Sequence, residues 1–218
     1  MGAYDILIIG AGVVGNAIAR ELSRYRWNIG VVEKELDVAM GTSSRNSGVI
    51  HSGIHYKPGT IRAQLNVQGN AMMAALCHEL KVEIDYIGKL TVAQDEVDVE
   101  TLHRLKEQGE ANGVPGLEIV DRDRMQQIQP GVGGIQALWS PTTGIICPYG
   151  LTIALAENAH ANGVQYHLGQ EVRSIARKEG RFHVQTASGD QFESRVVINS
   201  AGLYADRVAA MAGVDVDE

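Results

Sequence analysis

Residues 4–33 read YDILIIGAGVVGNAIARELSRYRWNIGVVE. The apolar run Tyr4 to Ile9 has the length of a buried strand and stops at Gly10-Ala11-Gly12-Val13-Val14-Gly15. A helix is expected from there to about Tyr25, with Val14, Ile18, Leu22 and Tyr25 on its inner face and Arg20, Glu21 and Arg24 on its outer one. A second strand, Asn28 to Glu33, returns parallel to the first, because only a helical crossover joins them. The three glycines have separate jobs: Gly10 permits the tight turn, Gly12 lets backbone approach a pyrophosphate, and Gly15 lets helix and strand pack closely. The helix N-terminus then presents N–H groups and partial positive charge to that anion. Glu33 closes the second strand where a carboxylate accepts hydrogen bonds from an adenosine ribose and repels a 2′-phosphate. NADP is therefore disfavoured, and NAD and FAD both stay open.

Composition narrows the class. The chain has 218 residues, 26 acidic against 19 basic, for a formal charge of −7. That balance argues against a nucleic-acid partner, which calls for a basic face. With 44% hydrophobic and 21% charged residues the chain buries a proper core and is not disordered. Glycine, at 25 residues, exceeds the usual ~7%. Cys77 and Cys147 fit neither a disulfide framework nor a CxxC motif and are expected as two buried thiols. The longest apolar stretch, Ile6 to Ala19, is too short and glycine-rich to span a bilayer, and Asp5 stands where a signal peptide has basic residues. The expectation is a soluble cytoplasmic protein, with peripheral membrane association of a full enzyme left open.

From Leu36 to Thr60 periodicity gives way to polar and glycine residues, a structureless connection long enough to be functional. Gly41-Thr42-Ser43-Ser44-Arg45-Asn46-Ser47-Gly48 is rich in hydroxyls and backbone donors, which suits a cofactor with a ribityl chain and a flavin ring better than a nicotinamide dinucleotide. A helix with Ile61, Leu65, Met72, Leu76 and Leu80 on one face comes next, then short strands (84–87, 89–93), a charged helix (97–112), a strand (117–120) and a short helix from Asp121. After Thr143-Gly144 follow a strand (145–147), a helix (149–162) and strand-like runs at 165–168, 171–176, 181–187, 191–193 and 195–198. The last run ends in Asn199-Ser200-Ala201-Gly202, and a helix begins near Tyr204. The fold class is α/β, a Rossmann-like FAD-binding domain of the glutathione-reductase type with an inserted α+β segment. Residues 1–60 and 149–218 form the binding domain, and residues 61–148 a cap on the substrate side.

The chain resembles the FAD-dependent oxidoreductases of the D-amino-acid-oxidase superfamily, in the branch of the glycerol-3-phosphate dehydrogenases and L-2-hydroxyglutarate oxidases. The matching runs are ILIIGAGVVGNAIARELSRY, GTSSRNSGVIHSGIHYKPGT, GKLTVA, NGVPGLEIV, TGIICPYGLTIALAENA and VVINSAGLYADRVA. The resemblance implies that Gly10, Gly12 and Gly15, with Val14 beside them, hold the pyrophosphate, and that Glu33, with Lys34, holds the ribose. Thr42, Ser43 and Ser44 would reach the phosphates and ribityl chain, with Asn46, Ser47, Gly48 and Val49 along the flavin. Val172 would meet adenine through its backbone, and Ala201-Gly202 would pass under the dinucleotide. His51 would lie by the isoalloxazine, as the catalytic residue taking the substrate hydroxyl proton or as a tuning group, with covalent attachment of flavin a further reading. His55, Tyr56 and Lys57 are surface loop residues or face the substrate. No metal site is visible.

The implied reaction oxidises an anionic secondary alcohol, with hydride to flavin N5. Glycerol 3-phosphate is the first substrate, L-2-hydroxyglutarate the second, and amino-acid oxidation the distant alternative. The family continues beyond residue 218, so the resemblance implies the N-terminal half of such an enzyme, with much of the substrate's anion clamp in the other half. A fragment that binds dinucleotide without turnover and a nicotinamide-binding regulatory domain are the competing classes. Further subunits and an electron acceptor are implied for the whole enzyme, and no residue names either.

Overall fold

A computed structural model describes residues 2–215. In chain order the elements are β1 (Gly2–Ile9), α1 (Val13–Leu22), β2 (Ile29–Val32), β3 (Val49–Ile50), α2 (Ile61–Leu80), β4 (Ile84–Asp85), β5 (Lys89–Ala93), α3 (Glu96–Ala111), β6 (Glu118–Asp121), α4 (Arg122–Ile128), β7 (Gln136–Ser140), β8 (Gly144–Ile146), α5 (Pro148–Ala161), β9 (Gln165–His167), β10 (Val172–Lys178), β11 (Arg181–Thr186), β12 (Gln191–Asn199) and α6 (Ala205–Met211). The chain divides into two compact units, residues 1–47 with 148–218, and residues 48–147. The first division falls before residue 60, because Val49 and Ile50 pair antiparallel with Ile145 and Gly144 as a strand of the second unit.

The first unit is built on a six-stranded sheet in the order β10-β11-β12-β1-β2-β9. The expected βαβ start is present, with β1 parallel to both β2 and β12 and β2 parallel to β9. The β10–β11–β12 part is antiparallel. The central strands read as continuous apolar runs because both their faces are covered. Leu7 and Ile9 join one cluster with Ile175, Val184, Phe192 and Val208 of α6, while Ile6 and Ile8 join another with Ala19 of α1 and Ala156 and Ala159 of α5. The runs at 191–193 and 195–198 form one strand, β12, in register with β1 along its length.

Helix α1 buries only part of the expected face: Ile18 and Leu22 pack against the core, but Val14 and Tyr25 do not. It ends at Leu22, Val14 is 60% exposed and Tyr25 61%, whereas Gly15, Asn16, Ala19 and Arg20 are buried. Two polar side chains take the inner face because each finds partners there. Asn16 donates from Nδ2 to the Ala11 carbonyl at 2.9 Å and accepts from the Tyr166 hydroxyl at 2.9 Å, and Arg20 Nε donates to Asn158 Oδ1 at 3.1 Å. Burial pushes the Tyr166 phenol pKa well up, so it stays a donor.

The second unit holds two three-stranded antiparallel sheets, β3-β8-β4 and β5-β7-β6. Strand β7, at the centre of the latter, is unmarked in the sequence, where Gln136–Ser140 has no clean alternation. Leu102 and Leu105 of α3 pack with Leu138 and Ile54, and Met125 of α4 packs with Val120, Ala137 and Trp139. Thr60, Asp95 and Asp121 cap α2, α3 and α4, each accepting from the backbone N–H three residues on. The face of α2 that packs is Ala63, Val67, Asn70 and Cys77; Ile61, Leu65 and Met72 are exposed, contrary to the expected stripe. Small residues and an amide with backbone partners let this helix lie close, and apolar periodicity follows larger side chains. Cys77 is buried, but Cys147 is exposed, one residue past the paired part of β8.

Candidate functional site

The turn after β1 is built by close approach. Gly10 has φ +104°, a left-handed conformation, and a Cβ there would stand 2.4 Å from the Ser200 carbonyl oxygen. A Cβ on Gly15 would stand 2.0 Å from the Gly10 carbonyl oxygen, and one on Gly12 3.0 Å from Ser43 Oγ. The glycines therefore allow three segments, the β1 turn, the Thr42–Ser44 turn and Ser200 beyond β12, to converge on the start of α1. That helix has Gly12 as its N-cap, no side-chain cap there and no acidic residue in its first turn. Val13 N–H donates to Ser43 Oγ at 2.9 Å. Ser200 Oγ is buried without a hydrogen-bond partner among the described residues. A glycine cradle, a first helical turn without acidic residues and an orphaned hydroxyl fit the pyrophosphate of a dinucleotide.

Glu33 lies just past β2, and its carboxylate accepts from Ala11 N–H at 2.7 Å and Glu35 N–H at 3.0 Å. Each oxygen keeps further acceptor capacity for a ribose hydroxyl, so the carboxylate both braces the turn and fits the expected role. Lys34 is exposed, 3.4 Å from Glu35 and 4.0 Å from the centre of the Tyr204 ring. Val14 is exposed on the first turn of α1. The expected structureless loop is folded on itself. Thr42–Ser44 is a 3₁₀ turn, Asn46 Nδ2 donates to the carbonyls of Thr42 at 3.2 Å and Ser43 at 3.1 Å, and Arg45 caps the Met40 and Gly41 carbonyls. Ser44 Oγ donates to Gly41 at 3.3 Å, and Ser47 is exposed. Val172 is a buried core residue, Ala201 packs at the edge of the same cluster, and Gly202, with φ +57°, opens a 3₁₀ turn.

In the second unit, Gly48 has φ +66° and its carbonyl accepts from Ile146 N–H at 2.9 Å, Val49 opens β3, and exposed His51 follows that strand. Residues 51–56, with Lys89 and Thr143, line a cavity of about 120 Å³. Side-chain amides tie down this loop: Asn70 donates to the His51 carbonyl at 3.1 Å, Asn112 to Gly53 at 2.9 Å and Tyr56 at 2.7 Å, and Gln108 to Ile54 at 2.7 Å. Beneath, Ser140 Oγ donates to Ser52 Oγ at 2.8 Å and accepts from Thr143 Oγ1 at 3.2 Å, all three buried. Asn16, Asn70, Lys89, Gln108, Asn112 and Ser200 join these sites only through the fold. None carries a motif spacing, and only Ser200, beside Ala201-Gly202, had a signal to follow.

The profile of the family described as DAO, FAD dependent oxidoreductase, matches residues 5–217. The chain belongs to this FAD-dependent oxidoreductase family. It is 44% identical over 210 residues to a glycerol 3-phosphate dehydrogenase of Caloramator mitchellensis, covering 95% of this chain and 44% of that protein. It is 33% identical over 228 residues to the mitochondrial L-2-hydroxyglutarate dehydrogenase of Homo sapiens, covering 99% of this chain and 49% of that one. Among solved structures it matches the FAD-bound, dithionite-reduced L-alpha-glycerophosphate oxidase of Mycoplasma pneumoniae with a TM-score of 0.92 and 32% identity, over 98% of this chain and 58% of that chain. A glycine oxidase from Geobacillus kaustophilus shares the fold at a TM-score of 0.89. The chain thus spans about half the length of the relatives it matches. As in its family, the cofactor is FAD, and the cradle of the first unit fits it. Among the described residues, no helix is long and apolar enough to cross a membrane.

Proposed function

We propose that this chain carries the dinucleotide cradle and the first part of the substrate site of an enzyme that oxidises an anionic secondary alcohol, glycerol 3-phosphate first. The observation that carries the reading is the glycine cradle at Gly10, Gly12 and Gly15, with Ser43 clamped on Val13 and Glu33 on Ala11. The choice of alcohol is supported by the 44% identity to a glycerol 3-phosphate dehydrogenase. L-2-hydroxyglutarate is the second reading, supported by the relatives of that name.

When bound, FAD supplies the acceptor for the hydride that leaves the carbinol carbon. The first turn of α1 and the hydroxyls of Thr42, Ser43 and Ser44 would hold the phosphates and ribityl chain, and Glu33, with Lys34 at its side, the ribose. Asn46, Ser47, Gly48 and Val49 would lie along the ring, Val172 would offer its backbone to adenine, and Ala201-Gly202 would pass close to the dinucleotide. His51 would take the hydroxyl proton on its imidazole as the carbon is oxidised to a ketone. Its loop position supports this: the carbonyl is held by Asn70 while the side chain stays exposed beside a cavity. For the whole enzyme the reading includes a cytoplasmic location, an electron acceptor and further subunits.

The experiment is anaerobic mixing of the FAD-loaded protein with sn-glycerol 3-phosphate, L-2-hydroxyglutarate or glycine, followed by flavin absorbance. Bleaching by glycerol 3-phosphate fastest supports the proposal, and bleaching only by L-2-hydroxyglutarate selects the second reading. Loss of colour with glycine alone overturns both. His51→Gln should slow bleaching by about 100-fold or more, the usual scale for a lost general base.

A further inference from the structure

The cavity of the second unit has a charge that the protein as a whole does not. Its lining includes Lys89, His55 and His51 and no carboxylate, in a chain of net charge −7. Lys89 Nζ lies 3.0 Å from His55 Nε2, and among the described residues Lys89 has no acidic partner. Only a neutral imidazole accepts from an ammonium, so this contact keeps the positive charge on the lysine and leaves it further N–H donors. Partial burial, and next to it the neighbouring Lys89 and His51, hold the His55 pKa below the usual histidine range, in agreement with that assignment.

The surrounding backbone is arranged to match. The carbonyls of His51, Gly53, Ile54 and Tyr56 are all taken up by side-chain amides of α2, α3 and the residue after α3, so the acceptors of this loop are bonded to its own unit. Lys89 itself opens β5, in register with Ser140 of β7, which belongs to the buried Ser52–Ser140–Thr143 hydroxyl chain. Gly88, before it, has φ +72° and no room for a Cβ, which would stand 1.9 Å from the Trp139 ring. The lysine is thus presented from a fixed strand end.

We infer that Lys89 and His55, with His51 at their side, form a site for a small oxyanion, and that it receives the phosphate or carboxylate of the substrate. This deepens the proposed function and rests on it. Part of the anion clamp, much of which is expected beyond residue 218, then lies within this chain.

The test is NMR of the histidine rings of the purified protein, assigned through His51→Gln and His55→Gln, during titration with sn-glycerol 3-phosphate, L-2-hydroxyglutarate, inorganic phosphate or uncharged glycerol. Saturable shifts of the His55 and His51 rings with the anions but not with glycerol are expected. The tighter of the two substrates identifies phosphate monoester or carboxylate as the preferred group. Lys89→Met should weaken binding about tenfold or more, the scale of one charge-assisted hydrogen bond, with Lys178→Met without effect. Lys89→Gln, which keeps N–H donors on a shorter stem but not the charge, should also weaken binding about tenfold and replaces Lys89→Met if that variant fails to fold. Shifts with glycerol as large as with anions, no shift at all, or unchanged binding in Lys89→Gln would each overturn the inference. Flavin absorbance on the same samples separates the two claims: bound FAD without ring shifts refutes the anion site alone, and ring shifts without FAD binding refute the flavoenzyme reading.

Discussion

Replacing Gly15 by alanine tests whether close approach, rather than glycine flexibility, builds the cofactor turn. The added Cβ would stand 2.0 Å from the Gly10 carbonyl oxygen, where real Cβ contacts stay beyond 3.0 Å, so α1 and the turn must separate by about 1 Å. The obstacle is backbone, and no side-chain rotation relieves it. Overpacking of this kind costs about 1–3 kcal/mol, and the better helix propensity of alanine returns up to about 1 kcal/mol. The net loss is therefore up to about 2 kcal/mol, measured by urea unfolding of the FAD-free protein. The same displacement moves the N–H groups at the start of α1, so FAD affinity should fall about tenfold, read by titration calorimetry. Gly69→Ala is the internal control, because Gly69 also lies within a helix, α2, and a Cβ there meets nothing within 4 Å. It should stabilise the protein by up to about 1 kcal/mol and leave FAD binding unchanged. If Gly15→Ala is stabilised as Gly69→Ala is and still binds FAD normally, the close-approach argument is wrong.

Three further outcomes follow from the geometry. Ser43→Ala removes the acceptor of Val13 N–H, and should cost about 1 kcal/mol of stability and weaken FAD binding, seen by urea unfolding and calorimetry. Asn16→Leu leaves the Ala11 carbonyl and the buried Tyr166 hydroxyl without their partner, and should cost roughly 1–3 kcal/mol in the same unfolding assay. Burial, only partly offset by Asp190, holds the His167 pKa below its unfolded value, so the native state favours the neutral ring. Its contribution is full above the unfolded value near 6.5 and is lost as pH falls from there through the lower native value; His167→Phe should flatten the decline in urea midpoint between about pH 7.5 and pH 5.

What could be read from the sequence was what glycine and apolar runs encode. Gly10, Gly12, Gly15 and Glu33 are defined by spacing from a strand, and the structure brings them to one turn. On α1 the spacing marks Ile18 and Leu22, which pack on the core, but not Asn16 and Arg20, which are buried by virtue of partners 150 and 138 residues away that no local pattern carries. On α2 the converse holds: Ile61, Leu65 and Met72 keep helical spacing although exposed, while Leu76 and Leu80 of the same stripe are half-buried. The pairing of Lys89 with His55 spans 34 residues and depends on β5 starting beside the 51–56 loop. Chemistry assembled by tertiary contacts has no signature until the fold is known.

The central claim is that the β1–α1 cradle holds FAD. Titrating FAD and, separately, NAD into the purified protein, with calorimetry and visible absorbance read together, tests it most directly. Saturable uptake of FAD, with a protein-bound flavin spectrum and about tenfold weaker uptake in Gly15→Ala, is the predicted result. A protein that takes up NAD and leaves FAD free in solution would contradict it.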